Sequence, residues 1–238
     1  MWNTIFYFVM VPMVYAAVAI MIGGILFRLT VVIFSGRFKG SLATYPKRLP
    51  RILGVMKDAL LVPTGWKKDK LLWLFIVAFH SAFFLLFIGH IELIREFKAL
   101  QVIPHDIFLG AGYVGIVLIV SVLYFMFRRF KVPWREISVP EDYILLILLF
   151  LTMVVGSHLH LAARYGVAGF DIPVDEYRVY LTSLVAFKPM IPESISLSPH
   201  YVLVALHIFL ANLVLMLLPF SKVIHMVFAF LSLNLRRK

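Results

Sequence analysis

Cysteine is absent from all 238 residues. That absence excludes every chemistry in which this chain alone would supply a thiolate: iron–sulfur clusters, thiolate zinc sites, disulfides and covalent c-type haem. Any redox cofactor must take other ligands, and histidine is the remaining strong one. Charge is scarce too. Only 15% of residues are charged against 62% hydrophobic, too little polar surface to cover a soluble core of this size. The chain is expected to live in a membrane. No internal repeat, low-complexity tract or long hydrophilic stretch interrupts it, so residues 1–238 read as a single membrane domain.

Five stretches reach the ~20 apolar residues needed to cross about 30 Å of hydrocarbon. They run from Ile5 to Phe34, Leu71 to Ile91, Ile107 to Phe127, Tyr143 to Ala163 and Tyr201 to about Leu233. With their flanks they predict helices over 5–34, 71–95, 107–130, 142–164 and 200–233, an all-α integral membrane bundle of five transmembrane helices. No basic residue precedes the first apolar run, and Arg28 comes only at its far end. This is the reverse of a cleavable signal, so that segment is expected to stay as a helix.

Basic loops are retained on the cytoplasmic side. The loop after the first stretch holds Arg37, Lys39, Lys47, Arg48, Arg51, Lys57, Lys67, Lys68 and Lys70; Arg128, Arg129, Lys131 and Arg135 follow the third, and Arg236, Arg237 and Lys238 end the chain. From Tyr165 to His200 the only Lys and Arg are Arg178 and Lys188, against Asp171, Asp175, Glu176 and Glu193. Alternation then places the N-terminus outside and the C-terminus in the cytoplasm. The net charge of +11 needs no nucleic-acid partner, because its excess lies on one membrane face beside anionic lipid. Within the largest inner loop, Ile52 to Val62 suggests a short interfacial helix or an ordered connection. The outer loop from Gly166 to Pro199 is long, carries Tyr177, Tyr180, Leu181, Leu184, Val185 and Phe187, and is expected to cap the bundle.

Four histidines lie inside apolar stretches: His80 and His90 ten residues apart in the second, His207 and His225 eighteen apart in the fifth. An imidazole in hydrocarbon is costly without a partner and marks a functional site. At 1.5 Å per residue His80 lies about 14 Å and His90 about 28 Å in from the cytoplasmic end. On the opposite-running fifth helix His207 lies about 10 Å below the outer start, and His225 about 27 Å further in. Only the pairs His90 with His207 and His80 with His225 match in depth, as two stacked, axially ligated haems would require. Ser81, Ala82 and Gly89 would let a macrocycle approach the backbone. The plain alternative is an imidazole bonded to a neighbouring helix. A haem-free proton-relay channel or transporter, or a structural anchor, would use the same helices for a different purpose.

The His-x9-His pair, Gly89-His90, and the segment Leu218-Pro219-Phe220-Ser221-Lys222-Val223-Ile224-His225-Met226 resemble the gamma-subunit family of respiratory nitrate reductase over essentially the whole chain. Its relatives include the membrane cytochromes b of heterodisulfide reductase and of the sulfite-reduction-associated complex. Glu176 to Leu184, before the fifth stretch, looks more like this second branch, which would place the chain in sulfate respiration.

The resemblance implies a dihaem cytochrome b of the bacterial or archaeal cell membrane. Two haem b groups would be held by His90 with His207 on the outer side and by His80 with His225 on the inner. Quinol, menaquinone or another quinone, would be oxidised outside, with electrons passing inward to a cytoplasmic iron–sulfur subunit of nitrate-reductase-beta or heterodisulfide-reductase type. Further membrane and periplasmic redox subunits could join, and terminal catalysis would belong to another subunit. His158 or His160, with Arg164, is a candidate for the quinone site or an outer propionate, as are Gly89 and Arg95. Lys98 is the nearest candidate for the outer-loop lysine linked to quinol binding in the nitrate branch. Arg28 and Lys222 are candidates for inner propionates. His105 and His200 flank helix ends and are expected to be solvated.

Overall fold

A computed structural model describes residues 2–34, 61–95, 113–170 and 172–222. All regular structure among them is helical: α1 (Trp2–Met10), α2 (Pro12–Phe34), α3 (Pro63–Lys68), α4 (Lys70–Glu92), α5 (Tyr113–Arg129), α6 (Pro140–Arg164), α7 (Val174–Val185), α8 (Glu193–Ser196) and α9 (Tyr201–Leu217). Among the described residues four segments are long and apolar enough to cross a membrane: Thr4–Phe34, Lys70–Glu92, Pro140–Arg164 and Tyr201–Phe220. The remaining expected span appears as the 17-residue α5, and its first residues, 107–112, lie outside the described ones.

Local chemistry sets the boundaries. The Asp69 carboxylate accepts the Leu72 N–H at 2.9 Å and starts α4. Pro140 stands in the first turn of α6, where its missing N–H costs nothing. The expected unbroken helix over 200–233 is interrupted. Its α-helical part ends at Leu217, a 3-10 turn covers Leu218–Phe220, and Ser221 is extended. The cause is Pro219, which can donate no helical hydrogen bond and is buried against α2. A Cβ built on Gly24 would lie 2.6 Å from the Pro219 Cβ, so only glycine admits this approach. The uniform rise assumed between His207 and His225 does not pass through this break. Residues from 223 onward, His225 among them, lie outside the described ones.

Close packing runs α4 to α5, α5 to α6, α6 to α9, and α9 to α2. Ala82, Leu118, Val122 and Met153 form the core between α4, α5 and α6. At the end of the bundle marked by Tyr201, the loop expected to act as a cap does so: Tyr180, Leu184 and Ile195 are buried with Met10, Val11 and Val204.

This cap also repairs a backbone defect. Pro12 interrupts the first apolar segment, so α1 ends at Met10 and its last carbonyls lose helical donors. In a membrane such carbonyls must find partners within the protein. The Tyr180 hydroxyl donates to the Met10 carbonyl at 2.5 Å, and Asn212 Nδ2 donates to that of Val9 at 3.1 Å. Burial pushes the Tyr180 hydroxyl far above the ordinary tyrosine range, so it remains a donor. Tyr15 ties the cap from below by donating to the Leu184 carbonyl at 2.9 Å.

At the opposite end, buried Asp142 accepts from Arg129 at 3.0 Å and from Lys222 Nζ at 2.6 Å through one oxygen, Oδ2. Arg129 also donates to Ser138 Oγ at 3.0 Å. Arg128 pairs with Asp69 at 3.3 Å and lies over the Trp134 ring at 3.8 Å. These contacts tie together the ends of α4, α5 and α6 and the turn that follows α9.

Candidate functional site

Each of the three described intramembrane histidines is held the same way, through Nδ1. His80 Nδ1 meets the Ile76 carbonyl at 2.7 Å, His90 Nδ1 the Leu86 carbonyl at 2.8 Å, and His207 Nδ1 the Thr152 carbonyl at 3.2 Å. A carbonyl oxygen can only accept, so Nδ1 carries the proton in each ring. A neutral imidazole in that tautomer keeps its lone pair on Nε2. Donation of the other ring N–H to a backbone carbonyl is the usual support of a metal-ligating histidine.

The structure brings His90 and His207 together. Their ring centroids are 6.4 Å apart with planes inclined at 33°. Two imidazoles binding one metal from opposite sides need about 2 Å from metal to nitrogen on each side. Adding about 1 Å from each nitrogen to its ring centre gives roughly 6 Å. The observed spacing therefore fits axial ligation of a single iron. The helices that carry the rings, α4 and α9, are not among the closely packed pairs of the described residues. No group of three or more His, Cys, Asp or Glu side chains among these residues could hold an ion. The two imidazoles thus meet as a pair, the donor set that axial haem ligation takes from a protein.

The neighbours of this pair come from α6. Gly156 lies against the His207 ring, where a Cβ would fall 2.7 Å from Cε1. Gly115 of α5 similarly abuts the Ser157 hydroxyl, which lets α5 and α6 approach closely. Neither glycine is evident from the spacing of the histidines, although a glycine inside an apolar helix is itself a sign of close approach.

The other candidates are spread along the same end of the bundle. His158 and His160 are both exposed on α6, and neither points into the core. His158 meets Phe170 edge-on at 5.5 Å, and the other partner of that buried ring is His200, stacked at 3.6 Å. His200, expected to be solvated, is half-buried instead, and its Nε2 donates to the Ala168 carbonyl at 3.1 Å. The positive φ of Gly169 turns the chain so that Phe170 and His200 can stack. Arg164 ends α6, Gly89 is buried beside His90, and Arg95 is exposed just beyond α4. Lys98 and His105 lie outside the described residues. Of the two inner candidates, Arg28 is exposed on α2 and Lys222 is engaged by Asp142.

A search of curated proteins finds no match to this sequence. The family model described as nitrate reductase gamma subunit matches residues 64–238, a stretch that takes in His80, His90, His207 and His225. The match covers well over half of the sequence, and the chain belongs to the nitrate reductase gamma subunit family.

Proposed function

We propose that this protein is a membrane cytochrome b subunit of a respiratory complex that holds two b haems. His90 and His207 are the axial ligands of an outer haem, and His80 and His225 those of an inner one. The observation that carries this reading is the 6.4 Å separation of the His90 and His207 rings, with both Nδ1 atoms committed to backbone carbonyls. Bound haem supplies one-electron transfer between the membrane faces. The chain's own residues fix the imidazole tautomers, exclude water with an apolar bundle, and place charged side chains at its ends. For the inner pair, His80 supports the reading through its bond to Ile76, and His225 rests on the family match, which covers it.

The remaining assignments follow from this reading. The bundle has five spans in the cell membrane and one domain, with the N-terminus outside and the C-terminus in the cytoplasm. Quinol, menaquinone or a related quinone, gives up electrons and protons at the outer side near His158, His160 and Arg164. The electron acceptor is a cytoplasmic iron–sulfur subunit, with terminal catalysis on a further subunit. The stretch from Glu176 to Leu184 favours the heterodisulfide-reductase and sulfite-reduction branch for that partner. A proton relay is the rival function for histidines in apolar helices. It needs ring nitrogens that exchange protons along a chain, and the fixed Nδ1–H bonds to carbonyls favour ligation.

Alanine at His90 and alanine at His207 should remove the same haem, seen as the same missing component in a redox titration of the b-type absorption band. Loss of different components, or of none, would refute the pairing.

A further inference from the structure

His207 is seated differently from the other two imidazoles. His80 and His90 bond carbonyls of their own helix, four residues back. His207 instead reaches from α9 to the Thr152 carbonyl on α6, at 3.2 Å. It gets there across Gly156, one turn beyond Thr152. A Cβ at position 156 would fall 2.7 Å from Cε1, 3.1 Å from Nδ1 and 3.5 Å from Nε2 of the ring. The first of these is closer than real Cβ contacts come, so any side chain there must push the ring away from the wall of α6. Glycine inside a helix costs about 1 kcal/mol relative to alanine. Close seating of the His207 ring is the structural return at this position.

We infer that Gly156 is a positioning residue for the outer haem: it makes the backbone of α6 the surface that orients His207 and sets the strength of the bond to Thr152. This inference rests on the haem reading above. Donation of Nδ1–H to a carbonyl makes an imidazole a more basic ligand, and a more basic ligand favours the oxidised iron. A methyl group at position 156 weakens that donation. The consequence falls on one haem only, because His80 and His90 draw their bonds from α4 itself.

The test uses the purified full chain as wild type, Gly156→Ala and Gly23→Ala. The last is a control in which the new methyl group meets nothing within 4 Å. Haem per chain, a redox titration and the low-spin electron paramagnetic resonance signals are measured on each. Gly156→Ala should raise the potential and shift the signal of one haem, or lose that haem, with the other unchanged and Gly23→Ala like wild type. Unchanged signals from both haems, or equal disturbance of both, would overturn the inference. If Gly156→Ala does not accumulate, His207→Gly gives a second reading. Added imidazole should restore the low-spin signal of the outer haem, and 1-methylimidazole, with no N–H for Thr152, should not. Equal restoration by the two would overturn the inference. A wild-type chain with no haem at all would defeat the underlying reading instead.

Discussion

A histidine in an apolar helix has two ring nitrogens to satisfy, and here one of them is assigned to a backbone carbonyl in every described case. That leaves the other with a defined chemical character, which is what ligand chemistry requires. The same economy governs Tyr180, whose hydroxyl serves the Met10 carbonyl beside Pro12. Tyr180→Phe keeps the ring but leaves that carbonyl unserved, and should destabilise the protein by about 1–3 kcal/mol. The loss should appear as a lower thermal midpoint in detergent, with haem content per folded chain unchanged. The four histidines were legible in the sequence because an imidazole stands out in an apolar run. Gly156 and Asn212 were not, since their roles depend on which helix lies opposite.

Individual helices are governed by their ends and their prolines. Asp69 caps α4, and the Leu72 N–H, with Arg128 assisting, holds its carboxyl below the usual carboxylate range. A depressed native pKa contributes stability above the ordinary carboxylate value, and that contribution is lost as pH falls through the native one. The first turn of α4 should therefore lose protection of its amide hydrogens, measured against the intrinsic exchange rate at each pH, as the medium is acidified below about pH 4, and Asp69→Asn should flatten that dependence. Protection of that turn that does not change with pH in wild type would oppose this assignment. Asp142 plays a larger part because it is buried with two cations on one oxygen. Asp142→Asn should cost about 1–3 kcal/mol, less than a fully buried pair because Lys222 and Arg129 keep contact with solvent. Limited proteolysis near the Lys222 end would register it.

The spans were legible from hydropathy to within a few residues at Lys70, Pro140 and Tyr201. Pro12 and Pro219 were visible as letters but not as breaks, because apolar runs continue through them and hydropathy is blind to a missing N–H. The Asp142 cluster was hidden for another reason. Its members lie 13 and 80 residues apart in the chain, and only packing of the helix ends unites them.

For the whole molecule, topology is the property that charge placement predicts most openly. The absence of cysteine makes it easy to check. Lys188→Cys should react with an impermeant thiol reagent added to the outer face, and Lys131→Cys only after the inner face is exposed. The reverse pattern would invert the bundle and exchange the outer and inner haems. The larger claim is that four histidines turn an apolar bundle into an electron path between the membrane faces. A dithionite-reduced minus oxidised spectrum of the purified protein, with a pyridine haemochrome count, addresses it directly. Two b haems per chain is the predicted result, and a chain that carries none would contradict it.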